Sequence, residues 1–252
     1  MSDPLPPGAP FSFGPGPGGL PRASGLPLLG CLTITAVLLL LCLLPVFLVD
    51  VMQSALARLN LSPTVATLAV IGILIGSLVN IPVYRFSRLD TLPDYTFGAF
   101  GLGWFAPQFR EMRQQTVIAV NVGGCVIPTS IAVWELLGIL GSDGRTVLLT
   151  FLIAGANTFV CYRASRPVEG VGIMMPGFLS PLVSVGLTWL LGIPPGLRAP
   201  VAFVAGVSGP LIGADLLNLR NIARLPGGVL SIGGAGTFDG IVLSGVLAAL
   251  LA

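Results

Sequence analysis

The sequence predicts an all-α fold, a polytopic helical membrane protein of about seven transmembrane helices with segments broken by Gly and Pro. Three observations predict it. Of 252 residues, 54% are hydrophobic and 9% are charged, whereas a soluble domain carries about 25% charged residues. The mean hydropathy is +0.96. Uncharged or nearly uncharged apolar stretches also recur along the chain, each about 17–23 residues, the length that crosses about 30 Å of hydrocarbon.

Residues 1–25 are rich in Pro and Gly and read as a disordered tail, because such a segment can neither nucleate a helix nor bury a core. Residues 26–252 form a single transmembrane domain. The uncharged run from Leu26 to Val49 is too long for the apolar region of a signal peptide, about 7–15 residues, and is read as a retained first helix. Six further spans are expected near 64–83, 117–137, 146–162, 171–193, 199–219 and 235–252. The fifth contains Pro176 and Pro181, which also allows a re-entrant or broken helix.

Arginine placement tests this count. All 12 basic residues are Arg. Alternating sides puts Arg22, Arg85, Arg88, Arg110, Arg113, Arg163, Arg166, Arg220 and Arg224 together, against Arg58, Arg145 and Arg198. The bias predicts a cytoplasmic N-terminus and an outer C-terminus in the inner (cytoplasmic) membrane. The loop 85–116 carries Tyr95, Phe97, Phe100, Trp104, Phe105 and Phe109. It is read as an interfacial segment with its rings at headgroup depth.

The absence of Lys and His excludes Schiff-base chemistry, imidazole acid–base catalysis and His metal ligands. Cys31, Cys42, Cys125 and Cys161 lie in apolar stretches without a C-x-x-C, so neither a disulfide framework nor a zinc site is expected. Most carboxylates sit near loops, and Asp50 and Glu135, at span ends, are read as solvated or interfacial. Asp215 and Asp239 differ, because each lies inside a span, where an ionisable group is a functional candidate by default. Asp215 is five residues before Arg220, about 7–8 Å along a helix, and the alternative reading is that it pairs with Arg220 across roughly one turn. A last helix starting near Gly233 puts Asp239 about 9 Å in, at similar depth. As an alternative, Asp239 is an N-cap, which leaves a helix too short to span.

Small residues recur every four positions at Gly236, Gly240, Ser244, Ala248 and Ala252, and at Ala205, Gly209 and Gly213, a pattern that lets helix backbones approach. Three spans pair a Gly cluster with a following Pro: 121–128, 170–181 and 206–215. Broken helices of this kind expose backbone groups that transporters use as ligands. Asn121 and Ser180 add polar side chains to the first two.

The motifs VIAVNVGGCVIP (117–128), SRPVEGVGIMMPGFLSP (165–181), GPLIGADLLNL (209–219) and SIGGAGTFDGIVLSGVLAALLA (231–252), with NIPVYR (80–85), resemble a family of uncharacterised prokaryotic membrane proteins, domain of unknown function 1614. The resemblance covers about residues 30–252. It implies the membrane class and no mechanism. I-G-A-D (212–215) and G-A-G-T-F-D (234–239) also resemble the GxGD-type intramembrane aspartyl proteases. The Tyr-Asp and Pro-Ala-Leu segments of presenilin-like enzymes are absent.

The expected function is a carrier or channel for a small solute or ion, with Asp215, Asp239, Asn121 and Ser180 as ligands. The alternatives are a di-aspartyl hydrolase with Asp215 and Asp239 catalytic, or a non-catalytic subunit of a membrane complex. The expected partners are the lipid bilayer and the small solute or ion, with a homo-oligomer allowed. No cofactor, metal or nucleic acid is expected.

Overall fold

The computed structural model describes residues 28–94, 108–168, 172–219 and 229–252. The elements are α1 (Leu28–Leu56), α2 (Pro63–Gly76), β1 (Asn80–Asp94), β2 (Gln108–Asn121), a π-helical turn (Val122–Val126), α3 (Ile127–Leu140) and α4 (Gly144–Ala164). Two short strands follow, β3 (Arg166–Val168) and β4 (Gly172–Met174), then α5 (Leu179–Leu190) and α6 (Pro195–Ser208). The chain continues as a π-helical segment (Gly209–Leu216), β5 (Val229–Ile232), a 3-10 turn (Gly236–Phe238) and α7 (Gly240–Leu251).

The chain divides into two compact units, Met1–Phe47 and Leu48–Ala252. In the first, the described residues are the N-terminal part of α1, and its apolar side chains are exposed along its length. In the second, Met52, Ala55 and Leu56 at the end of α1 join a core with α2, α3, α6 and α7. A second core packs Ile139, Ile153 and Ile193 against Val201, Val204 and Ala205. Helix α6 belongs to both. Ala199 through Val207 are all buried, and α6 touches α3, α4, α5 and α7. A helix apolar on every face belongs at the centre of a bundle.

Two of the surrounding helices, α4 and α5, carry polar residues on their buried faces. In α4 the buried positions are Thr146, Thr150, Ile153, Asn157 and Cys161, while Leu148, Phe151, Leu152 and Phe159 are exposed. In α5, Ser180, Pro181, Ser184 and Thr188 are buried, while Leu182, Trp189 and Leu190 are exposed. Three of the buried hydroxyls are satisfied within their own helices: Thr150 donates to the Thr146 carbonyl (2.8 Å), Ser184 to that of Ser180 (2.8 Å) and Thr188 to that of Ser184 (2.7 Å). In water this arrangement would expose large apolar faces at high cost. In hydrocarbon it suits small-residue helix packing.

Among the described residues, four helices are long and apolar enough to cross a membrane: Gly30–Leu56, Val122–Leu140, Gly144–Ala164 and Pro195–Leu216. The other three expected spans contain the shorter apolar helices α2, α5 and α7. At 14, 12 and 12 residues, these rise about 18–21 Å, short of the full hydrocarbon thickness.

Sheet structure replaces helix at two places. The expected spans 64–83 and 117–137 end and begin, respectively, as strands. β1 pairs with β2 antiparallel from Asn80–Asn121 to Asp94–Gln108, and β5 joins β2 in parallel. The fold is therefore mostly helical, not all-α. The strands form because Val79, Ile81, Val83, Val117, Ile118 and Val120 combine β-branched side chains with Asn at both ends of the hairpin base. The register slips between Pro82 and Tyr84, as a residue without an N–H requires in a ladder. The segment 85–116, expected along the interface, supplies strand backbone on both flanks. Tyr95 to Phe105, most of its aromatic cluster, lies outside the described residues.

Candidate functional site

Three glycine-bearing segments interlock where α2 ends, β2 turns into α3 and β5 leads to α7. Gly76 and Ser77 meet Gly123, and Gly124 meets Gly233. A Cβ on Gly123 or Gly124 would collide with backbone atoms of the facing segment. Gly233 (φ +71°) and Gly236 (φ +61°) take left-handed backbone, which glycine adopts without a Cβ penalty. Ser77 Oγ lies 3.1 Å from Thr237 Oγ1. The motifs VNVGGC and SIGGAGTFD are thus two halves of one backbone contact.

Asn121 is fully buried and holds this junction. Its amide donates to the Ser77 carbonyl (2.8 Å) and to Asn80 Oδ1 (3.2 Å), while its own Oδ1 accepts the Gly124 N–H (2.7 Å). Both amide hydrogens and one acceptor position are used in the fold. Asp239 caps α7: Oδ1 accepts the Ile241 N–H (3.0 Å) and Oδ2 the Ala235 N–H (3.3 Å). The N-cap alternative is therefore the one realised. The backbone ahead of it is irregular and packed on Gly124 and Ser77, as non-helical backbone must be when removed from water.

Ser180 has a different structural task. Pro210 lacks the N–H that would bond the Gly206 carbonyl one turn earlier. Ser180 Oγ donates to that carbonyl (3.2 Å) and accepts from Asn157 Nδ2 (2.9 Å), which also donates to the Ala205 carbonyl (2.8 Å). The defect that Pro210 makes in α6 is repaired from α4 and α5. Past it, Gly209–Leu216 winds as a π-helix, a local form that occurs often at functional sites. Gly209 and Gly213 press on Asn157, Thr158 and Cys161 of α4.

Asp215 sits on this π-helical segment, half-buried. Among the described residues its carboxylate makes no hydrogen bond, and none of them forms an ion pair with it; Arg220 lies outside them. Asp239 is close enough for the two charges to interact, and Cys125 lies within electrostatic reach of both. Asp215 and Asp239 are thus within electrostatic reach of each other but share no hydrogen bond, Asn121 lies in the junction beside Asp239, and Ser180 lies apart, between α4, α5 and α6. A cavity of about 620 Å³ lined by Ala164, Arg166, Val168, Met174, Met175 and Pro176 includes neither aspartate. The cysteines are free, with Cys125 and Cys161 buried.

Two parts of the sequence reading need correction. The expected stripe on the last helix does not run through Gly240, which has open space around it; Gly206 instead faces the Ser244 carbonyl and Ala248 Cβ. Glu135, read as interfacial, is 1% exposed inside the bundle. Asn157, which no motif singled out, carries the interhelical hydrogen bonds. The signal for both was position: Asn157 and Glu135 each lie well inside a helix of mainly apolar residues.

These features define a helical bundle whose outer faces suit hydrocarbon and whose interior holds polar groups around a broken central helix. The chain belongs to the protein family of unknown function DUF1614, whose match covers residues 74–251. No curated protein matches it, and no solved structure matches it.

Proposed function

We propose that the protein is a carrier for a small solute or ion, a cation or proton most directly, in the cytoplasmic membrane, with Asp215 as the exchangeable ligand. One observation carries the reading. Of the four expected ligands, Asn121, Ser180 and Asp239 are occupied by hydrogen bonds that hold the fold, and Asp215, on a π-helical break, has no hydrogen-bond or ion-pair partner among the described residues. Carriers commonly place ligands at broken helices, and an ionisable group in a span calls for such a role. The two backbone N–H groups that Asp239 accepts fit a helix cap, and they support the carrier reading over a di-aspartyl hydrolase only in giving Asp239 a structural task. The arginine bias supports a cytoplasmic N-terminus and an outer C-terminus.

The test is flux in proteoliposomes under imposed proton, sodium and potassium gradients. Wild type should carry one of the three. Asp215→Asn, nearly isosteric, should fold and lose about tenfold or more of the flux. Asp239→Asn should keep most of it, because Asn caps a helix about as well as Asp. Full flux in Asp215→Asn, or none of these ions moved by folded wild type, contradicts the reading.

A further inference from the structure

Glu135 lies on α3, on the opposite side of that helix's length from the Cys125 end. It is 1% exposed. Its Oε2 accepts a hydrogen bond from Asn60 Nδ2 at 3.4 Å, the Asn60 backbone N–H also lies close enough to act on the carboxyl, and its Oε1 has no partner. A buried carboxylate is stable when paired with a cation or given several donors. Here no ion pair reaches it among the described residues. The charged groups on neighbouring elements are turned elsewhere. On α6, Arg198 donates Nε–H to the Ile193 carbonyl (2.9 Å) and stacks over Trp189 at 4.2 Å. Arg58, after α1, and Arg145, at the start of α4, are exposed. Asp143 is exposed and bonded to Thr146. Within α2 there is no charged side chain, and α7 has Asp239 only as its N-cap.

Asn60 is itself exposed. A single neutral residue therefore lies between the buried carboxyl and the outside of the bundle. Metal-ion binding would need several more ligands, and no group of three or more His, Cys, Asp or Glu side chains that could hold an ion occurs among the described residues. A proton needs none. We propose that Glu135 is a proton-binding site, held as the neutral acid inside the bundle and exchanging its proton directly with water that reaches the carboxyl beside Asn60. The proposal does not depend on the carrier reading at Asp215, and either can fail alone.

The chain has three glutamates, Glu111, Glu135 and Glu169. Isotope-labelled glutamate in an E111Q/E169Q double variant leaves Glu135 as the one labelled carboxyl, with its own position unaltered. Infrared spectroscopy of this protein in liposomes at neutral pH should show the labelled carbonyl stretch of a protonated acid, moving on transfer to heavy water. Glu135→Gln in the labelled wild type should remove that band. Asn60→Leu should slow its deuterium exchange about tenfold or more, because an apolar side chain there keeps water from the carboxyl. A labelled carboxylate band with no acid band at neutral pH overturns the proposal. An acid band whose exchange is unchanged in Asn60→Leu overturns the route beside Asn60.

Discussion

Gly206 and Gly240 separate close packing from mere glycine content. A Cβ on Gly206 would lie 2.8 Å from the Ser244 carbonyl oxygen and 2.9 Å from Ala248 Cβ, whereas one on Gly240 meets nothing within 4 Å. Gly206→Leu should therefore cost about 1–3 kcal/mol or prevent folding, and Gly240→Leu should stay within about 0.5 kcal/mol. Thermal unfolding of the two variants in detergent checks the contrast. Ser180→Ala should leave the Gly206 carbonyl unpartnered, at about 1–3 kcal/mol, measurable in the same way. At this scale the sequence was informative about which residues matter and less so about why. Asn121, Ser180 and Asp239 were legible as buried polar groups beside Gly and Pro. Their tasks were not, because each depends on a partner more than twenty residues away or on a backbone turn that periodicity does not encode. The Asn121 partners Ser77 and Asn80 come from another element, and the Ser180 acceptor exists only because Pro210 leaves it open.

Elements differ in how directly local chemistry sets them. Helix α4 is set locally: Asp143 accepts the Thr146 N–H (3.0 Å) and hydroxyl (2.7 Å), and the apolar run follows. The Thr146 hydroxyl and N–H hold the Asp143 carboxyl below its usual range. A depressed carboxyl supports the folded state above its unfolded pKa, about 3.9. That support fades as pH falls through the folded value. The start of α4 should thus show more amide exchange in acid than at neutral pH, and Asp143→Asn should remove that dependence while keeping the cap. The hairpin is set by tertiary partners. Val79, Ile81, Val83, Val117 and Val120 suit either a membrane helix or a strand, so the apolar run gave no local signal where α2 ends. What decides is the Gly76–Gly123 and Gly124–Gly233 contacts, which bring the two strands and β5 to one place. Gly124→Ala, whose Cβ meets the Gly233 backbone, should destabilise this junction more than any exposed glycine substitution does.

For the whole molecule, composition was decisive and length was misleading. The low charge and the apolar runs were enough to read a membrane-suited bundle, and the polar-inside faces of α4 and α5 bear the physical logic out. Counting runs of about 20 residues overstated the length of three helices, because the runs at 64–83, 171–193 and 235–252 include strand, turn and glycine-rich backbone ahead of or after a shorter helix. The arginine bias still makes a sharp prediction. Reporter fusions should place the N-terminal tail and the 220–230 loop in the cytoplasm and Ala252 outside, and a cytoplasmic C-terminus would contradict the span count. The central claim is that Asp215 is a ligand position reachable from water inside the bundle. Its most direct test is Asp215→Cys in a chain whose four native cysteines are replaced, treated with a charged, membrane-impermeant thiol reagent. Position 215 should react about tenfold or more faster than Ala202→Cys, which is fully buried in α6. A cysteine at 215 that stays as inert as the one at 202, from both faces of the membrane, would contradict the account.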